Sequence, residues 1–226
     1  MKRLLIFAIV ALCAAAAAWA AKPAILKLKV DDLIAVFTFE TGQKATVTSK
    51  GTSMAPGTYN VKAVSIFKKD DKGRVWELRT VDKGKQRDEE KLIAKPKLGS
   101  LEVMALDEEQ EKVIDPGPPL ALKGAGRTSD KTHDVHISFT AHGRYSEVYH
   151  PGAFLDGKKP PAPTYKILDE NGKVLASGTF DVSREGAFTA DWKQGAWKGK
   201  YTVTVEAAFG PFEYKLTPTE KVFEVK

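Results

Sequence analysis

The chain has 226 residues, of which 42% are hydrophobic and 28% charged, and its formal net charge is +6. This composition is that of a globular protein, and it excludes a disordered chain, a collagen, a coiled coil, a polytopic membrane protein and a disulfide-stapled miniprotein. Two of the basic residues, Lys2 and Arg3, lie in a leader-like segment. The remaining 33 basic and 29 acidic residues leave a charge of +4, which argues against a nucleic-acid partner.

Residues 1–20 have the three parts of a secretory signal peptide: a basic start, an apolar run and the small-residue motif Ala18-Trp19-Ala20. We expect cleavage after this motif or one residue later, and a secreted or periplasmic protein with no stable membrane span. Two alternatives stay open. The run could remain as an anchor, since roughly 20 apolar residues cross a bilayer, or a lipid could be attached at Cys13. Cys13 is the only cysteine, so the cleaved chain has no disulfide and no thiol nucleophile.

Short runs rich in Val, Thr, Ile, Phe and Tyr alternate with Gly, Pro, Asp and Asn along the rest of the chain. This pattern is typical of an all-β protein. In the first half, the predicted strands are residues 25–30, 33–40, 44–48, 58–67, 74–80, 91–94 and 101–106. In the second half, they are residues 120–123, 133–141, 144–150, 164–168, 174–180, 188–192, 201–207 and 221–225.

A proline-rich break separates the two sets of strands. Residues 115–119 read Asp-Pro-Gly-Pro-Pro, and prolines remove backbone donors and stiffen the chain. We therefore predict a first domain at residues 21–115 and a second at 116–226. The alternative boundary is the polar stretch 124–131.

Two motifs occur in both halves. Asp70-Asp71-Lys72-Gly73-Arg74-Val75 matches Asp169-Glu170-Asn171-Gly172-Lys173-Val174, and its acidic residue and glycine predict a hairpin turn in each half. Gly57-Thr58-Tyr59-Asn60-Val61 matches Gly199-Lys200-Tyr201-Thr202-Val203.

The Gly-x-Tyr-x-Val motif resembles the tyrosine corner of immunoglobulin-like sandwiches, in which the tyrosine hydroxyl bonds to an upstream backbone group. With the second hairpin and the closing strand, residues 116–226 are similar to bacterial extracellular Ig-like or transthyretin-like modules. The resemblance implies β-sandwich domains and a role in extracellular adhesion, carbohydrate binding or assembly. It carries over no functional residues.

Four histidines, His133, His136, His142 and His150, lie within eighteen positions and suggest a metal site. Strand alternation places His133 on the core face and the next two on the opposite face, where they are about 20 Å apart at strand rise. A hairpin that pairs residue 141 with residue 144 would put His136 and His150 on opposite faces. A periplasmic metal-binding protein using these histidines is kept as an alternative function, and unrelated surface histidines are favoured.

Aromatic side chains offer a second alternative function, carbohydrate binding. Trp192 shares strand parity with Phe188 and is expected in the core, whereas Trp197 precedes a turn and is the candidate for an exposed platform. Tyr165 is the second candidate contact.

Catalytic motifs are not evident. The segment Gly51-Thr52-Ser53-Met54-Ala55 resembles the serine segment of subtilisin-like proteases, but no histidine precedes Ser53 as that family's order requires. Phosphate-binding and dinucleotide-binding glycine motifs are also missing. We predict an exported, non-catalytic protein without a cofactor that binds or assembles with an unidentified extracytoplasmic protein or glycan.

Overall fold

A computed structural model describes residues 22–81, 98–128, 134–183, 186–193, 199–217 and 221–225. For residues 128, 216–217 and 221–225 it describes the backbone alone. Within these ranges the chain is all-β, which confirms the predicted class, with one short 3-10 helix at Gly99–Leu101. The predicted signal peptide, the predicted strand at 91–94, His133 and Trp197 lie outside the described residues. No described helix has the length and apolar character needed to cross a membrane.

The strands fall before and after the proline-rich segment. Those before it are β1 Ala24–Leu28, β2 Ile34–Phe39, β3 Lys44–Val47, β4 Thr52–Met54, β5 Gly57–Lys69, β6 Val75–Arg79, β7 Val103–Leu106 and β8 Glu111–Ile114. Those after it are β9 Leu120–Thr128, β10 Asp134–His142, β11 Val148–Tyr149, β12 Phe154–Leu155, β13 Thr164–Leu168, β14 Val174–Thr179, β15 Asp181–Val182, β16 Phe188–Lys193, β17 Gly199–Glu206, β18 Tyr214–Thr217 and β19 Lys221–Val225.

Four sheets are present in the described part of the chain. Two have the strand orders β4-β1-β8 and β12-β6-β5-β2-β3, with β7 also paired to β5. The other two have the orders β15-β16-β10-β9-β18, with β11 paired to β10, and β14-β13-β17-β19. Most pairings are antiparallel, whereas β1 with β8 and β9 with β18 are parallel.

Both predicted hairpin turns are confirmed, since β5 pairs with β6 and β13 with β14 across them. Asp70 Oδ1 accepts hydrogen bonds from the backbone N–H groups two and four residues later, at 3.0 and 2.9 Å. Asp169 Oδ1 does the same in the second turn, at 2.9 Å in both cases. The glycine that closes each turn has a positive φ, 74° at Gly73 and 79° at Gly172, which explains why glycine stands there.

The predicted strand at 144–150 is wrong for most of its length. Residues 143–147 form a turn, and only β11 is strand, with Ala141 opposite Tyr149. The predicted pairing of Ala141 with Arg144 is therefore also wrong. The physical reason is local: the Glu147 carboxylate turns inward and accepts the Tyr145 N–H at 2.8 Å, which bends the chain before it can continue along β10.

Strands from the two predicted domains pair with each other. Phe154 of β12 lies opposite Glu77 of β6, and a further bridge joins Thr80 to Tyr149. One hydrophobic core cluster includes buried side chains from both halves. The boundary at 115–116 stays a prediction, and the chain after it supplies the edge strand of a sheet formed before it.

The central strand β10 has the alternation expected of a half-buried strand. Every second side chain is buried, namely Val135, Ile137, Phe139 and Ala141. The Phe139 ring packs against Phe188 with ring centroids 5.8 Å apart, and against Phe180 at 5.9 Å. This packing fixes the inner face of the sheet, and it leaves His136, Ser138, Thr140 and His142 on the outer face.

Candidate functional site

The outer face of strands β9, β10 and β16 carries a row of polar side chains. In the strand register, His136 of β10 lies opposite Arg127 of β9 on one side and Asp191 of β16 on the other. The next row along the strands is Ala125, Ser138 and Thr189. Residues directly opposite in a sheet have Cβ atoms about 5 Å apart, so each row forms a contiguous strip.

A groove of about 290 Å³ lies on this face and is lined by Ala125, Arg127, His136 and Ser138. We call it the groove below. Ala125 and Ser138 have small side chains, whereas Arg127 and His136 have long ones. The sheet surface is therefore lower at the row of Ala125 and Ser138 than at the row of Arg127 and His136. Around this depression lie a guanidinium, an imidazole and a hydroxyl.

His136 makes a hydrogen bond to a carboxylate beside the groove. Its Nδ1 lies 2.8 Å from Oδ1 of Asp191, and the two side chains are 49% and 74% exposed. A carboxylate at Nδ1 keeps a proton on that nitrogen, orients the ring and leaves Nε2 for another partner. An ion pair this exposed contributes little to stability, so its main effect is on the orientation of the imidazole.

Arg127 differs from the other arginines in the described part of the chain. Arg74 pairs with Asp70 at 2.7 Å, and Arg79 pairs with Glu77 at 2.6 Å. Arg144 pairs with Asp115. Within the described residues no ion pair or hydrogen bond involves the Arg127 guanidinium, whose donors are therefore available to a ligand.

Ser138 lies two residues from His136 on the same strand face, so a serine and a histidine line the groove and an aspartate lies beside it. A serine nucleophile needs its base within hydrogen-bond reach. Among the described contacts, His136 bonds to Asp191, and none joins His136 to Ser138. The arrangement presents polar groups to a ligand without the serine–imidazole bond of an activated nucleophile.

The three described histidines of the predicted metal site lie in different surroundings. His142 Nε2 is 2.8 Å from Thr140 Oγ1, and the ring of His150 packs edge-on against Phe154 with centroids 6.0 Å apart. His136 is bonded to Asp191 instead. In the described ranges, no group of three or more His, Cys, Asp or Glu side chains could hold a metal ion.

The described candidate aromatics take part in packing. The ring of Tyr165 is partly buried, with its centroid 4.9 Å from that of Phe180. Trp192 is 9% exposed and packs against Tyr201 with centroids 5.4 Å apart, which confirms its predicted core position. Trp197, the predicted platform, lies outside the described residues.

A second polar cluster, which sequence reasoning missed, is buried where the proline-rich segment meets the turn at 143–147. We call it the Glu147 junction. Glu147 is 0% exposed, its Oε1 accepts hydrogen bonds from Gly117 N at 2.7 Å and Tyr149 Oη at 3.0 Å, and its Oε2 accepts from Tyr145 N at 2.8 Å. Burial raises the pKa of Glu147, and the hydrogen bonds that it accepts oppose that shift. Burial, together with the Glu147 charge, raises the pKa of Tyr149 well above its ordinary value.

The same junction also holds the start of the proline-rich segment, at Asp115. The Asp115 N–H donates to Tyr145 Oη at 3.3 Å, and the Asp115 carboxylate pairs with Arg144. Ser100 N also donates to the Tyr145 carbonyl at 3.1 Å. Residues that the sequence predicts as a linker are therefore held by side chains and backbone of the second half.

Different signals would have revealed the two clusters. The histidine-rich stretch singles out His136, but no pattern singles out Arg127, which lies in the polar stretch 124–131 that is the alternative domain boundary. Asp191 could have been found by extending the strand alternation from Trp192. Glu147 has one weak signal, a carboxylate placed directly before the apolar pair Val148 and Tyr149.

Comparison of the chain with known protein families, with curated proteins and with solved structures found no match.

Proposed function

We propose that this chain is an exported, non-catalytic binding protein, and that it contacts its ligand through the groove on the outer face of β9, β10 and β16. The observation that carries the proposal is the groove itself, with Arg127, His136 and Ser138 at its surface. Polar groups that converge on a concavity are the usual basis of ligand recognition. Export rests on the signal-like residues 1–20, and the partner is an extracytoplasmic protein or glycan.

We further propose that the strands form two β-sandwich domains of the Ig-like or transthyretin-like kind. The two Asp–Gly hairpins support this architecture. So does Tyr59, whose hydroxyl donates to the carbonyl of Ala55 at 2.6 Å, because a hydroxyl bond to an upstream carbonyl is what a tyrosine corner provides.

Binding, and not acyl transfer, is the function that the groove favours. A hydrolase would need the Ser138 hydroxyl bonded to the imidazole and donors placed for an oxyanion. The groove instead combines an arginine that is unpaired among the described residues with an oriented imidazole.

The first test is a thermal-shift screen of the full chain, produced with its own leader and recovered from the extracytoplasmic fraction. The probes are neutral and acidic oligosaccharides, small organic acids and divalent metal ions. A ligand that binds only the native state raises the melting temperature. A panel that gives no rise at all contradicts the proposal.

The location of the site is tested by a matched pair of variants. Ser138→Phe places a ring in the groove, and Ser177→Phe places the same ring on the exposed edge strand β14 of another sheet. We expect Ser138→Phe to abolish the ligand-induced rise and Ser177→Phe to keep it. Equal rises in both variants would show that the ligand binds elsewhere.

A further inference from the structure

We infer that the ligand presents an anionic group to the groove, a carboxylate, sulfate or phosphate that is bound by Arg127 and Ser138 with His136 as a third contact. This inference rests on the proposed function and names the class of ligand for the same site.

The charges around the groove favour an anion. Alternation along β9 places Lys123, Ala125 and Arg127 on the same face, so two cations flank the small side chain that lines the groove. Both cations are exposed, and within the described part of the chain neither forms an ion pair. The described residues that line the groove include no acidic side chain.

The neighbouring carboxylates already face cationic or basic partners. Asp191 is bonded to His136, and Asp134 lies opposite Lys193 in the pairing of β10 with β16. No described contact joins either carboxylate to the Arg127 guanidinium. An anion entering the groove meets that exposed guanidinium from β9 and a hydroxyl from β10.

The spacing of the three contacts suits one oxyanion. Arg127 lies directly opposite His136, and Ser138 lies on the diagonal, at cross-strand separations of about 5 and 7–8 Å between backbone positions. An arginine fork binds two oxygens of a carboxylate, sulfate or phosphate, and a serine hydroxyl donates to one more. All three side chains can therefore reach the same group.

Asp191 acts in this site as a positioning residue. Its bond to Nδ1 fixes the plane of the His136 ring, so that Nε2 lies on the opposite edge and stays available to the ligand. Asp191 itself does not line the groove.

The size of the groove limits the ligand. At about 290 Å³ it is close to the lower end of the roughly 300–1,000 Å³ range of small-molecule pockets. It therefore accepts one monosaccharide-sized acid, or one acidic end group of a larger molecule, and not an extended chain.

The test is a nuclear magnetic resonance titration of the full chain at constant ionic strength set with sodium chloride. The probes are D-glucuronate, its neutral counterpart D-glucose, inorganic sulfate and inorganic phosphate. We expect saturable shifts of the Arg127, His136 and Ser138 resonances with at least one anion and none with glucose. Shifts that chloride reproduces mark an adventitious ion only and overturn the inference.

Variants of Arg127 separate the effect of its positive charge from the effect of its planar guanidinium, which can bind two oxygens at once. Arg127→Gln should weaken anion binding about tenfold or more, because a hydrogen bond to a charged group is lost. Arg127→Lys keeps the charge but not the fork, so its loss should be smaller, and Lys166→Gln on β13 should bind like the wild type. For Asp191→Asn, we expect weaker anion binding together with a changed signature of His136, namely changed resonances of its ring nitrogens. A purely structural Asp191 would leave that signature unchanged.

The outcomes distinguish this inference from the proposed function. Equal groove shifts with glucose and glucuronate, unchanged by Arg127→Gln, would overturn the anionic ligand and leave the groove as a binding site. Shifts that miss the groove altogether, with every probe of the titration and of the thermal-shift panel, would overturn both.

Discussion

A carboxylate that bonds to neighbouring donors is found both in the Glu147 junction and beside the groove, but the two carboxylates differ in exposure. Glu147 is 0% exposed and accepts three hydrogen bonds from groups that its own fold supplies. Asp191 is 74% exposed, and its partner among the described residues is the imidazole of His136. One site is closed by the protein, and the other leaves polar groups facing outward.

This difference indicates which substitutions affect folding and which affect binding. A buried donor that loses its acceptor cannot turn to water, so its desolvation cost appears in full. An exposed donor that loses its partner is hydrated at once, and little stability is lost. The predictions below follow this contrast in order of decreasing effect on the free energy of unfolding.

The largest effect is expected for Glu147→Ala. The change leaves the N–H groups of Gly117 and Tyr145 and the hydroxyl of Tyr149 without their acceptor in a buried place. We expect the free energy of unfolding to fall by about 3–5 kcal/mol, measured by urea denaturation. Glu206→Ala, at an exposed position on β17, is the control and should change it by less than about 0.5 kcal/mol. Equal effects of the two variants would contradict a structural role for the junction.

A second, smaller effect tests another contact between the two halves of the chain. A Cβ at Gly210, where φ is 58°, would lie 2.3 Å from the ring of Trp76. Gly157 has φ 77° and nothing within 4 Å of the same position, so it isolates the backbone strain. We expect Gly157→Ala to cost about 1 kcal/mol, and Gly210→Ala to cost about 2–3 kcal/mol in the same denaturation experiment. A similar cost for both would mean that Trp76 moves away freely.

The pH dependence of stability provides a third test of the junction. Burial raises the pKa of folded Glu147 above its ordinary value of 4.5, so the folded state binds this proton more tightly than the unfolded state does. The contribution of Glu147 is therefore greatest below pH 4.5 and is lost as the pH rises through the raised pKa. We expect the stability of the wild type relative to Glu147→Gln to decrease over that interval, because glutamine does not titrate there.

Asp70 serves as a control of opposite sign. A hydrogen bond from the Trp76 indole, with further bonds from Arg74, lowers the pKa of Asp70 from 3.8 to about 2. Its contribution is present above pH 3.8 and is lost as the pH falls toward 2. Asp70→Asn should therefore remove stability at neutral pH and have little effect at the acidic limit.

For Glu147, the contradicting outcome is a stability difference between wild type and Glu147→Gln that rises with pH, since it would exclude a raised pKa of Glu147.

Local chemistry was predictable from the sequence, and long-range pairing was not. Asp70 with Gly73 and Asp169 with Gly172 specify their turns through bonds within five residues, so both hairpins were found. The outer face of β10 was found in the same way, from the alternation around His136. These features depend on neighbours in the chain.

The rest depends on contacts between distant segments. Arg127 and Asp191 join His136 only through the register of three strands, and β12 completes a sheet that begins before the proline-rich segment. Residues 144–150 were predicted as a strand because Tyr145, Val148 and Tyr149 favour strands, whereas the inward carboxylate of Glu147 determines the path of the chain there. The Glu147 carboxylate combines a local bond from Tyr145 N with a long-range bond from Gly117 N, and together these override the local preference.

The smallest effect on stability is expected in the groove. Arg127 makes no ion pair in the described part of the chain, and the pair of His136 with Asp191 is largely exposed. Arg127→Gln and Asp191→Asn should therefore each change the free energy of unfolding by less than about 0.5 kcal/mol. The same two variants should weaken anion binding. In the groove, therefore, binding can be lost while stability is kept, whereas substitution of Glu147 reduces stability. A loss of more than about 1 kcal/mol in urea would mean that Arg127 or Asp191 stabilises the sheet itself. A substitution costs this much only when it removes a bonding partner that the folded chain needs.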